Sequence, residues 1–169
     1  MKKLITIIFL GIIQTAIGQK DYSESPLNAE FITTDYDNFW KAFDKMDISS
    51  KNPFIEYLDN ASEGLKPFVA YLNADLLYQT VLKRKEGYLK SRPVIEGITY
   101  KKKKVQASYA ALKYWYPDAS FPPVYFVVGM FTSGGTVSEN GLVIGSEMLK
   151  NLDGLNGRLW KVVLILSAS

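Results

Sequence analysis

The stretch PDASFPP, residues 117–123, separates two parts of the chain that follow different periodicities. Its prolines fix the backbone and cannot continue a helix. Upstream, apolar residues recur at helical spacing. Downstream, VYFVVG is a run of β-branched and aromatic residues and predicts a buried strand. The glycines of SGG and the polar SENG mark turns, and LVIG predicts a second short strand. Helices first and strands after give an α+β class: an N-terminal helical layer followed by a short β-sheet.

The helical part divides into four segments. In TTDYDNFWKAFDKM, Thr34 or Asp35 can cap, and Asp37 suits the positive end of the helix dipole. Phe39, Trp40, Phe43 and Met46 share one face and should be core. In KNPFIEYLDNASEGL, Asn52 caps, Pro53 suits the first helical position and Gly64 the stop. Phe54, Tyr57, Leu58 and Ala61 form its stripe. A third helix is expected from Pro67, burying Phe68, Leu72, Leu76 and Leu82, with Gly87 as its breaker. The longest is expected from Pro93 and closed by Pro117, with Ile95, Ile98, Val105, Tyr109, Leu112 and Trp115 or Tyr116 inward. Its lysine run at 101–104 reads as a solvated turn, since the helical period spreads it over more than one face. No internal repeat and no low-complexity segment stands out.

The first 18 residues have the form of a secretory signal peptide. Lys2 and Lys3 precede an apolar run, and Ala16 and Gly18 occupy the small-residue positions before cleavage. The run is shorter than the roughly 20 residues a membrane span needs. A secreted or periplasmic product with no stable membrane anchor after cleavage is therefore expected. Residues 19–169 suit a single domain, starting with a loose polar arm at 19–33. Without Lys2 and Lys3 the balance is 18 Lys+Arg against 17 Asp+Glu. A charge so close to zero argues against a nucleic-acid partner. No cysteine means no disulfide framework.

The chain also has no histidine, so neither a Ser-His-Asp triad nor a histidine-based metal site can be assembled. SGG alone is a turn signal rather than a phosphate cradle. Glu139 with Glu147, or Glu63 with Glu96, could in principle act as a carboxylate pair. Their spacing singles out neither pair, and surface carboxylates are the simpler reading. Tyr114, Trp115, Tyr116 and Phe121 could stack on sugars, but are expected to anchor a helix end in the core.

One longer pattern is more specific. YPDASFPPVYFVVG, followed by SGGT and GLVIGSEM, resembles secreted zinc-dependent proteases of the zincin type from Gram-negative bacteria. NFWKAFD near the start is similar to theirs as well. The resemblance runs to about residue 156 and is strongest over 116–148. It implies the N-terminal part of a zincin-like domain. In intact relatives an H-E-x-x-H helix follows, whose histidines bind zinc and whose glutamate activates the bound water. Zincins also hold an extended peptide or protein by backbone pairing on an edge strand. By that analogy Gly141, Leu142, Val143, Ile144 and Gly145, or the strand before them, form a cleft wall, with Ser133, Gly134 and Gly135 at its turn.

After Leu149 the chain reads KNLDGLNGRLWKVVLILSAS, without H-E-x-x-H. No family metal ligand or catalytic residue maps onto it, and zinc is expected only in intact relatives. The resemblance thus implies a truncated, catalytically inactive zincin-like metallopeptidase. The alternative is a complete non-enzymatic binding module, periplasmic or at the cell surface, whose last strand spans 162–166.

Overall fold

The computed structural model describes residues 22–96 and 98–149, with the side chains of 94–101, 104 and 105 set aside. The signal-peptide segment and the apolar run at 162–166 lie outside the described residues. The architecture is α+β. Strand β1 (Phe31–Ile32) precedes five helices: α1 (Thr34–Lys45), α2 (Phe54–Asp59), α3 (Ala74–Lys83), α4 (Lys85–Glu96) and α5 (Ile98–Trp115). Strands β2 (Val124–Val127), β3 (Thr136–Ser138) and β4 (Gly141–Gly145) follow. The sheet order is β1-β2-β4-β3. β1, β2 and β4 run parallel, with Val124 opposite Leu142 and Val127 opposite Gly145. β3 pairs antiparallel to β4, with Thr136 opposite Val143 and Ser138 opposite Gly141.

Phe39 sits at the centre of the helical layer. Its ring lies 5.3–5.5 Å from those of Trp40, Phe54, Tyr57 and Tyr88. The predicted stripes of α1 and α2 are all buried. Offset and edge-on ring pairs of this kind add to the area they bury. Arg92 closes the outer side of α1. Its guanidinium lies 4.6 Å from the Trp40 ring and makes two 2.8 Å hydrogen bonds to Asp44. Among the described residues no helix is long and apolar enough to cross a membrane.

Several local expectations are corrected. The segment read as a loose arm contains β1, and Ala29 beside it is buried. Thr33 holds the N-cap position of α1. Asp35 is instead buried, where its carboxylate accepts from the Ser62 N–H at 2.9 Å and from the Ser62 hydroxyl. Burial pushes the Asp35 carboxyl above its ordinary range, and the Ser62 bonds oppose this. Pro53 holds the N-cap position of α2 rather than its first helical position, and Asn52 before it accepts from the Phe54 N–H at 2.9 Å. The helix stops at Asp59, before Gly64. Gly64 is needed for another reason: a Cβ there would overlap the Tyr125 ring.

The third helix starts later than the pattern suggests. Residues Lys66–Phe68 form a 3-10 turn, and Asn73 caps α3 by accepting from the N–H groups of Asp75 and Leu76. That start turns Leu77 and Val81 inward and leaves Leu76 and Leu82 exposed. Gly87 lies inside α4 and does not end it, because the break falls at Arg84. Pro93 is also inside α4, so the expected long helix is the end of α4 plus α5. Tyr109 and Leu112 of α5 are buried, as is Phe121, which stacks on Tyr109 at 4.8 Å. Tyr114, Trp115 and Tyr116 are exposed, Trp115 by 74%, and do not anchor the helix end.

Candidate functional site

In a sheet with parallel strands, ligand sites tend to lie beyond the carboxyl ends of those strands. Here the chain leaves β2 at Val127, crosses over the end of β4, and descends as β3. The crossing segment, residues 128–135, roofs that end of the sheet. Beneath it opens a cleft of about 460 Å³. Leu65, Phe68 and Leu72 form one wall, Met130 and Ser133 the rim, and Val143, Gly145 and Glu147 the floor.

Buried tyrosines fix the crossing segment. The Tyr57 hydroxyl donates to the Val128 carbonyl at 2.8 Å and accepts from the Val128 N–H at 3.3 Å. The Tyr88 hydroxyl donates to the Gly129 carbonyl at 2.7 Å. Burial pushes both phenols up, so both remain donors at neutral pH. The chain then turns through Phe131 at φ 60°, a left-handed conformation that is strained for a bulky side chain. The Phe131 ring is held against Tyr88 at 4.7 Å, with the Arg84 guanidinium 5.3 Å from it.

That turn aims the Phe131 N–H at Glu147 Oε1, 3.2 Å away. The N–H groups of Gly129 and of Glu147 itself also favour the ionised carboxylate. Desolvation outweighs all of them, and the Glu147 carboxyl is pushed above its ordinary range. Glu147 is 5% exposed, and its Oε2 accepts no hydrogen bond. The reading of Glu147 as a surface carboxylate is therefore corrected, whereas Glu139 is exposed. The two do not converge: Glu139 lies in the β3–β4 turn, at the opposite end of β4 from Glu147.

The glycine-rich segment is a close-packing device. Ser133 Oγ accepts from the Gly135 N–H at 3.3 Å and tightens the turn through Gly134. A Cβ at Gly135 would stand 2.9 Å from the Val143 carbonyl, and one at Gly145 would overlap the Ser133 carbonyl. Only glycine lets this turn lie directly on β4. Gly141, at φ 141°, closes the two-residue hairpin from β3. Leu142, Val143 and Ile144 are buried in the sheet.

β4 is thus interior, paired by β2 on one side and β3 on the other. Among the described residues the free edge on this side is β3, a strand the sequence pattern did not mark. Thr136 belongs both to that edge and to the cleft.

A second, more polar hollow of about 630 Å³ lies at the amino ends of the same strands, lined by Glu30, Glu63, Tyr125 and Asn140. Its polar groups are partly engaged with one another: Asn140 donates to the Glu63 carbonyl at 2.7 Å.

Zincin-type ligation needs imidazole, which this chain does not have. Among the described residues no three acidic side chains come together as metal ligands. The described residues do not fit a zincin-type zinc site. No protein-family model matches the chain, and neither a curated protein nor a solved structure matches it.

Proposed function

We propose that this chain is a non-hydrolytic peptide-binding unit, built on the strand-and-cleft part of a zincin-like domain and acting in the periplasm or outside the cell. The observation that carries the reading is an antiparallel edge strand, Thr136–Ser138, beside an apolar cleft. An edge strand offers unpaired backbone groups to an extended chain, and an adjacent pocket supplies selectivity for its side chains. The zincin-like part of the reading rests on the sequence pattern over residues 116–148. The non-hydrolytic part rests on a donor set without imidazole and on a cleft in which, among the described residues, Glu147 has no second carboxylate beside it.

Calorimetric titration with a mixed library of unstructured peptides tests the reading, beside the same library methylated at alternate backbone nitrogens. Binding that methylation abolishes is the expected result. Equal binding by both libraries, or chelator-sensitive cleavage of either, would overturn it.

A further inference from the structure

The cleft beside β3 is mostly apolar, and among the described residues Glu147 is the one charged group that lines it. Leu65, Phe68 and Leu72 supply a wall without charge, and Met130 an apolar part of the rim. Glu147 lies at the floor with Oε1 taken by the Phe131 N–H and Oε2 without a donor. No Lys or Arg among the described residues forms an ion pair with it. A buried carboxylate without a cation is costly, and a donor that reaches it gains more than it would in water. Apolar walls leading to one such acceptor fit a ligand with a methylene stem and a terminal donor.

We infer that this cleft takes a primary alkylammonium group, the lysine side chain of the peptide held on β3. The inference rests on the peptide-binding reading above. A strand paired along Thr136 directs alternate side chains to the cleft face of the sheet. Lysine fits better than arginine because a single carboxylate oxygen is available. An ammonium is a point donor, whereas the guanidinium fork needs paired acceptors.

The test is calorimetric titration of the full chain with acetylated, amidated peptides that differ only in a central lysine, norleucine or arginine. Free n-hexylammonium and n-hexanol serve as probes of the cleft alone. The expected result is lysine preferred over norleucine by roughly tenfold or more, the margin of a polar pocket that loses its partner. Glu147→Gln should bring the two peptides to equal affinity. Equal binding of lysine and norleucine peptides by the natural chain overturns the inference and leaves peptide binding standing. If no peptide binds, the peptide reading falls and the free probes decide the cleft. Preference for n-hexylammonium over n-hexanol then supports a free alkylamine as occupant, and no preference overturns the site. Because the natural chain gives these comparisons, a variant that fails to fold does not blunt the test.

Discussion

Replacing Tyr57 by Phe removes one oxygen and should destabilise the protein out of proportion to that change. The hydroxyl serves both backbone groups of Val128, donating to its carbonyl and accepting from its N–H. Tyr57 and Val128 are each 1% exposed, so water cannot take over either contact without opening the core. Each buried group left unsatisfied costs about 1–3 kcal/mol. Both groups belong to one residue and can relax together, so a combined loss of about 2–3 kcal/mol is expected. For a domain of this size that lowers Tm by about 5–10 °C. Tyr88→Phe, which gives up a single bond to Gly129, should cost about 1 kcal/mol. Tyr116→Phe on the surface should stay within about 0.5 kcal/mol. Urea denaturation with far-UV circular dichroism gives all three values. If Tyr57→Phe matched the surface control, the crossing segment would not depend on its tyrosines and the reasoning would fail.

Other substitutions probe separate links. Glu147 and Asp35 have folded pKa values raised by burial, so the native state holds protons that the unfolded chain releases. Their contribution to stability is therefore greatest below the unfolded values of 4.5 and 3.8, and is lost as pH rises through the folded values. Glu147→Gln should flatten that decline, which denaturation midpoints at about pH 4 and about pH 7 will show. Phe39→Ala empties the centre of the aromatic cluster and should cost about 3–5 kcal/mol by urea denaturation. Gly64→Ala forces the Tyr125 ring to move and should cost about 1–3 kcal/mol by thermal melting.

Where the sequence could be read, one physical signal dominated. Phe39, Trp40, Phe43 and Met46 repeat at helical spacing on a well-formed helix, and all face the core. VYFV and LVIG are apolar on both faces, as interior strands must be. The missed elements carry little of that signal. β1 has two residues, and β3 is three mostly exposed ones, so neither shows a period. Both exist because interior strands beside them need partners. In α3 a shift in the capping residue changed which leucines are buried. The site was legible only in part. The glycines at 134, 135, 141 and 145 were marked by composition, but the close approaches of Gly135 to Val143, Gly141 to Pro123 and Gly145 to Ser133 are tertiary facts. Glu147 had one signal, a carboxylate two residues after an apolar strand and followed by Met148 and Leu149. Its local sequence could not reveal that residues 128–135 close over it.

The most direct test of the peptide-binding account is hydrogen exchange at Thr136–Ser138, followed by mass spectrometry with and without a bound extended peptide. Outward-facing amides of the edge strand should exchange fast in the free protein and slow on binding, while β4, already paired on both sides, changes little. Protection that spares Thr136–Ser138, or no peptide binding, would contradict the account.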